Sequence, residues 1–352
     1  MKANMTVYVP AGTVITGGPN GTFTTVSGSS NTVYVQAGVF VTVSASATGP
    51  ATNVVTTAST SGNVQLSVTS LAGSAAADAA HVDGTGAAAV FWGGGRLAID
   101  SSGNVVLFDG CALRKVKQAG VVTTLTNQGC WDGVAIDPAR NVYGSGGGSV
   151  NGTSPVTWGA SLYDFLTSGV SQQLFANWEN PSVTSSTGFG GLVMDRKGAL
   201  FLADSVNDRI AKFNIGSNTW TVFAGSGTSG NQDGAGTAVS FTGVSNRAID
   251  SNDNLYVRSI DTVRKIAPGR TVTTIASQLS AAGTIAVDKS GSVYTSGCQV
   301  IDRIASDGSV VSLPSTTPAD LINSLASDSS SSLYAATQGR GAQIFKIAFP
   351  NQ

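Results

Sequence analysis

The sequence has few of the side chains on which most enzymes depend. It contains one histidine, His81, and one glutamate, Glu179, in 352 residues. Charged residues make up 11% of the chain and the net charge is -1, so there is no basic field to hold a nucleic-acid backbone. No apolar run reaches the length of a membrane span or of a signal peptide. We therefore expect a protein made in the cytoplasm, without a leader, that does not bind nucleic acid or enter a membrane.

Cysteine is also scarce, with three residues at Cys111, Cys130 and Cys298. An odd number leaves at least one thiol unpaired within the chain, and we interpret the three as small buried residues in a reducing compartment. Glycine is abundant, at 44 residues, and threonine, serine and valine accompany it. These residues favour strands and tight turns over helices, which indicates an all-β protein.

A glycine-rich segment occurs twice. The segment 83–100, DGTGAAAVFWGGGRLAID, and the segment 233–250, DGAGTAVSFTGVSNRAID, share nine of eighteen residues. The second is followed by neither a lysine for phosphate nor a helical pattern, so it does not resemble a nucleotide-binding loop. Each copy leads into a run of short predicted strands, which indicates a structural repeat.

A shorter core of the repeat, an apolar strand ending in aspartate followed by a turn and another strand, occurs six times. The six aspartates are Asp100, Asp137, Asp195, Asp250, Asp288 and Asp328. Their spacings of 37, 58, 55, 38 and 40 residues are typical of four-stranded blades arranged radially. The last copy supplies three strands, and the strand at 63–73 precedes the first copy, so this strand is expected to complete the sixth blade. The predicted fold is a six-bladed β-propeller over 63–352.

The unit at 248–277, AIDSNDNLYVRSIDTVRKIAPGRTVTTIAS, resembles the NHL repeat of β-propellers. The resemblance covers about 63–349 and breaks down in the insertion at 144–180. It implies a propeller whose loops present a binding surface. Propeller lactonases, which are similar in architecture, imply calcium held by Asp, Asn and Glu oxygens as an alternative to a protein without a cofactor.

The first 45 residues carry a different repeat, with TVYVPAGTVIT at 6–16 and TVYVQAGVFVT at 32–42. It predicts a small all-β module for attachment or oligomerisation, followed by a polar linker over 46–62. A short anchor before a display domain resembles the tail-fibre and spike proteins of bacteriophages. That resemblance implies a non-enzymatic virion protein, a homotrimer, that contacts other virion proteins through residues 1–60 and a host receptor, glycan or protein, through the propeller.

Aromatic residues at the irregular second blade are the predicted receptor site: Trp131, Trp158, Tyr163 and Trp178. The six repeated aspartates are interpreted as hydrogen-bond acceptors in turns. The pairs Arg114-Lys115 and Arg264-Lys265 are interpreted as repeat architecture, and His81 as a loop residue without a catalytic partner. Two alternatives stay open: a calcium-dependent lactonase or esterase, and an intracellular NHL-type scaffold.

Overall fold

Nearly all the regular structure is β-strand, as the composition predicts. The computed structural model describes residues 4–9, 13–16, 31–36, 42–45, 52–57, 64–74, 81–127, 133–146, 161–165, 171–175, 189–279, 283–297, 300–314 and 322–348. Helical structure in these ranges is limited to two short 3₁₀ turns, Gly86–Ala88 and Gly236–Ala238.

The N-terminal region contributes six strands, numbered in chain order: β1 (Asn4–Val9), β2 (Thr13–Thr16), β3 (Asn31–Gln36), β4 (Thr42–Ala45), β5 (Thr52–Thr57) and β6 (Val64–Ala72). β1 pairs with β3 and β2 with β4, both antiparallel, so the two copies of the N-terminal repeat lie strand against strand. β5 pairs along its whole length with β6. This differs from the predicted linker at 46–62, because the β-branched run in β5 forms a strand.

Five sheets are each formed from one continuous stretch of chain. The first contains β7 (Gly84–Thr85), β8 (Gly94–Ile99), β9 (Val105–Asp109), β10 (Ala112–Val116) and β11 (Val121–Thr126). The second contains β12 (Gly133–Ile136), β13 (Val142–Gly146), β14 (Ser161–Phe165) and β15 (Ser171–Phe175). The third contains β16 (Phe189–Met194), β17 (Ala199–Asp204), β18 (Arg209–Asn214) and β19 (Thr219–Ala224).

The remaining sheets follow the same order. The fourth contains β20 (Gly234–Ala235), β21 (Asn246–Ile249), β22 (Leu255–Arg258), β23 (Val263–Ile266) and β24 (Thr271–Ala276). The fifth contains β25 (Ile285–Val287), β26 (Val293–Gly297), β27 (Val300–Ile304) and β28 (Val310–Pro314). The last begins with β29 (Ile322–Ser327), β30 (Leu333–Thr337) and β31 (Ile344–Ala348).

The last sheet is completed from the other end of the chain. β31 pairs antiparallel with β6, with Ile347 opposite Val68, and the strand order is β29-β30-β31-β6-β5. The inner strands β8, β12, β16, β21, β25 and β29 contact one another in sequence, and β29 contacts β8. The all-β propeller predicted from the repeat, with its closing strand at 63–73, is confirmed.

The hydrophobic core lies between neighbouring blades. One cluster joins Phe201 and Phe223 of the third blade to Phe241 and Val257 of the fourth. Another joins Ala72 of β6 to residues of the first and last blades. Because each blade buries its faces against two neighbours, the closing strand contributes to the core as well as to hydrogen bonding.

The two glycine-rich segments have the same structure. Gly73 and Gly225 follow the last residues of β6 and β19 with φ of 106° and 108°. A Cβ at Gly73 would lie 2.5 Å from the carbonyl oxygen of Ala342, and one at Gly225 would lie 2.7 Å from the Cα of Arg209. Glycine is therefore required at both turns, because a Cβ would clash there and because the positive φ is unfavourable for other residues.

Cys111 lies in the turn between β9 and β10 and forms a disulfide. This differs from the interpretation of all three cysteines as reduced, buried residues. Cys130 and Cys298 lie outside the described residues.

Replacing Val68 by aspartate tests ring closure. Val68 is 5% exposed and packs with Phe345 and Ile347 of β31, so V68D places an unpaired charge in the core. We expect the free energy of unfolding to fall by about 3 kcal/mol or more. The neighbouring Thr69 is exposed, and T69D should change it by less than about 0.5 kcal/mol. Equal effects of the two substitutions in urea denaturation would contradict the closure.

Candidate functional site

The ends of the inner strands define two faces of the propeller. Each inner strand ends at one of the six repeated aspartates, on what we call the lower face. The opposite, upper face is where the inner strands begin, and it also carries the turn from β9 to β10, because Gly94 of β8 pairs with Asp109 of β9.

On the lower face the repeated aspartates accept hydrogen bonds within their own turns. An Oδ1 of Asp100 accepts the backbone N–H groups of Ser102 and Asn104 at 2.9 Å each. The other five make equivalent contacts to the backbone N–H four residues on, and these are Asp137, Asp195, Asp250, Asp288 and Asp328. The carboxylates are therefore engaged by the protein itself, away from the channel.

The charge of Asp100 is stabilised by this turn. Burial would raise the pKa of Asp100, but hydrogen bonds from Asn104 and Lys115 outweigh burial and lower the pKa to about 2. Lys115 Nζ lies 2.9 Å from Oδ2. Asp100 therefore contributes to stability as an ionised group.

The predicted receptor residues are not assembled within the described part of the chain. Trp131, Trp158 and Trp178 lie outside the described residues. Tyr163 lies in β14, opposite Gly144 of β13 and Gln173 of β15.

The two Arg-Lys pairs occupy matching positions in the first and fourth blades, as interpreted from the repeat. Arg114 and Arg264 are fully buried, and each guanidinium lies over a phenylalanine ring, at 5.2 Å from Phe91 and 4.8 Å from Phe241. Each also pairs with the aspartate of its glycine-rich segment, Asp83 or Asp233. These arginines hold the segment against the blade.

The first blade carries a histidine-carboxylate pair that sequence reasoning missed. Nδ1 of His81 lies 2.9 Å from Oδ2 of Asp109. The Asp109 side chain is fully buried and also accepts hydrogen bonds from the Gly93 N–H and from Arg114. The fourth blade has Asn231 and Ser259 at the equivalent positions, 150 residues later. Because Arg264 is held without such a pair, the blade architecture does not require it.

A cavity of about 260 Å³ lies on the propeller axis, surrounded by all six inner strands. Its walls are mainly alanine, valine, leucine and isoleucine side chains. The described lining includes two cations, Arg96 and Arg247, and no carboxylate or histidine. The hydroxyl groups of Thr284 and Ser324 add polar atoms to the wall.

This lining does not fit calcium. Ca²⁺ takes six to eight oxygen ligands, several of them carboxylates, whereas two guanidinium groups repel a cation. The described residues contain no group of three or more His, Cys, Asp or Glu side chains that could hold a metal.

The fold is shared with solved structures of small-molecule enzymes and binding proteins. A Bacteroides thetaiotaomicron protein of unknown function matches with a TM-score of 0.60 at 17% identity, over 96% of this chain and 90% of that one. A gluconolactonase from Xanthomonas campestris matches with a TM-score of 0.57 at 13% identity, over 82% and 91%. The calcium-binding protein regucalcin from Agrobacterium tumefaciens matches with a TM-score of 0.53 at 13% identity, over 74% and 91%.

Identities this low establish the fold and leave the activity open. No protein family and no curated protein sequence matches the chain.

The predicted virion role is wrong, because the fold is found in a lactonase and a calcium-binding protein. The assignments that belong to this role, namely receptor binding, host attachment, a structural protein and a homotrimer, are wrong with it. The tail-fibre resemblance rested on composition and domain order, which many β proteins share.

Within the described residues, no helix has the length and apolar character needed to cross a membrane.

Replacing Asp100 by asparagine should destabilise the protein in a pH-dependent way. The folded pKa of about 2 lies below the ordinary value of 3.8, so the ionised group stabilises the fold above pH 3.8 and loses this effect as the pH falls towards 2. D100N should lower the unfolding free energy by about 1–2 kcal/mol at pH 7, and the difference from wild type should narrow below pH 3.8. A difference that is constant from pH 7 to 2, or equal to that of S101A in the exposed part of the turn, would contradict this.

Proposed function

We propose that the protein binds a small organic molecule in the central channel of the propeller. The observation that carries this proposal is the cavity of about 260 Å³ enclosed by the inner strands. Its volume is close to the lower limit of ligand pockets, and its lining combines aliphatic residues with a few polar ones. A gluconolactonase shares this fold, which is compatible with a small-molecule ligand.

The channel proposal can be tested by narrowing the cavity. Ala326 lines the channel, so A326L should weaken the binding of a channel ligand about tenfold or more. Ala87 is exposed on the first blade, and A87L serves as the control. The measurement is isothermal titration with gluconolactone, gluconate and glucose. Binding that is unchanged in A326L, or the absence of binding by all three compounds, would contradict the proposal.

A second candidate function is hydrolysis of an ester or lactone, favoured by the His81–Asp109 pair. The buried carboxylate accepts the Nδ1 proton and orients the ring, which leaves Nε2 as the proton acceptor. Within the described residues His81 makes no hydrogen bond through Nε2. The His81 side chain is 31% exposed, so water reaches it. In this function His81 would take a proton from the attacking water, and Asp109 would act as a positioning residue.

Substituting the pair tests hydrolysis separately from binding. With gluconolactone or a p-nitrophenyl ester as substrate, H81Q should lower kcat by about 100-fold or more, and D109N should lower kcat with little change in KM. Asn231 holds the equivalent position in the fourth blade, and N231A should leave the rate unchanged. A rate that is insensitive to H81Q, or equally sensitive to N231A, would exclude the pair as the base.

A further inference from the structure

The first and fourth blades have matching backbones around their glycine-rich segments. In each blade the buried arginine donates hydrogen bonds to two backbone carbonyl oxygens in or just before the segment. The acceptors are Val82 and Val90 for Arg114, and Gln232 and Ser240 for Arg264. The two backbones therefore correspond residue for residue with an offset of 150 positions, and their side chains can be compared directly.

Three neighbouring side chains of the first blade differ from those of the fourth. The ring centroids of His81 and Trp92 are 6.5 Å apart, and Nδ1 of His81 lies 2.9 Å from Oδ2 of Asp109. The equivalent residues of the fourth blade are Asn231, Thr242 and Ser259. Because the fourth blade has the same backbone without any of the three, blade structure does not require them.

The buried carboxylate of Asp109 connects the histidine to the tryptophan. Its Oδ2 binds His81, and its Oδ1 accepts the backbone N–H of Gly93, the residue after Trp92, at 2.7 Å. One carboxylate thus holds both the imidazole ring and the chain that carries the indole. A site that is already held in place has less conformational entropy to lose when a ligand binds.

The indole of Trp92 is supported by backbone and is still accessible. It lies against Gly110, where a Cβ would clash with Cε3 and would lie 2.9 Å from Cζ3. The fourth blade has Ile260 at this position, so the support for an indole is specific to the first blade. Trp92 is 44% exposed. It therefore presents a flat apolar surface to solvent beside His81.

This surface suits an aryl ring better than a sugar ring. An aryl ring stacks on an indole and needs no hydrogen bonds, whereas each hydroxyl group of a sugar needs a partner when it is buried. Both oxygens of Asp109 are already bonded by the protein. Among the described side chains at this position, the polar groups left for a ligand are Nε2 of His81 and the indole N–H of Trp92.

We propose that the His81 site takes aryl esters, and that the aryl ring of the ester stacks on Trp92. This inference rests on the second candidate function and specifies its substrate class. The water oxygen bonds to the acyl carbon while one water proton passes to Nε2 of His81. The bond to the aryl oxygen then breaks and the phenolate takes the proton from Nε2, which leaves a carboxylic acid and a phenol. A phenolate leaves more readily than an alkoxide, so an aryl ester suits a single imidazole base.

Two acetates with matched leaving groups test the substrate class on the full chain. Phenol and hexafluoroisopropanol have similar acidity, so phenyl acetate and hexafluoroisopropyl acetate differ mainly in the ring. After subtraction of uncatalysed hydrolysis, we expect kcat/KM to be about tenfold or more higher for phenyl acetate. Gluconolactone supplies a sugar ring, and its kcat/KM should also be about tenfold or more below that of phenyl acetate.

Substitution of Trp92 locates the ring. W92T introduces the residue of the fourth blade and should raise KM for phenyl acetate about tenfold with little change in kcat. The same variant should leave KM for hexafluoroisopropyl acetate unchanged, and W92F should retain most of the affinity for phenyl acetate. Leu125 is also 44% exposed, and L125A is the matched control.

The outcomes separate the substrate class from the hydrolytic function. Hydrolysis that requires His81 but shows no preference for phenyl acetate, or a KM that W92T does not change, would overturn the inference and leave the hydrolytic function in place. A preference for gluconolactone over phenyl acetate would have the same meaning. Rates that H81Q leaves unchanged for all three substrates would instead overturn the hydrolytic function itself.

Discussion

The pairing of β31 with β6 is the contact on which the propeller depends. Without β6 the last blade would have three strands and an exposed edge, and the first blade would lose a neighbour against which to bury Phe91 and Leu107. The pairing joins residues about 280 positions apart, such as Ile347 and Val68, so its loop-closure entropy has to be offset by burial on both faces. β5 adds a further strand outside β6 and covers the edge that closure would otherwise leave.

Closure places six equivalent strands around one axis, so residues at matching positions of different blades can be compared with one another. Where two copies agree, as in the pairing of Arg114 with Asp83 and Arg264 with Asp233, the residues serve the blade. Where they disagree, the blade tolerates either residue, and the difference needs another reason. His81 with Asp109, and Arg247, are both differences of this second kind.

The sequence was sufficient for the fold but not for the site. The repeat predicts the propeller and its closing strand because strand patterns are local and recur. The segment 46–62 is interpreted as a linker from its Thr, Ser and Ala content, but the β-branched run TNVVTT within it forms β5. The His81–Asp109 pair was missed because its members are 28 residues apart and belong to no motif. Arg247 was visible in the repeat alignment, as the arginine of RAID against the leucine of LAID and the valine of VAID, but its burial and its position opposite Arg96 require the closed ring.

The channel illustrates why a shared fold does not carry a shared ligand. The wall of a propeller channel is made by inner-strand side chains that contribute little to pairing between strands, so its charge can change without changing the blades. Here one such position carries Arg247, where the other five blades have an aliphatic residue. The chemistry of the wall, rather than the fold, therefore determines what the channel can bind.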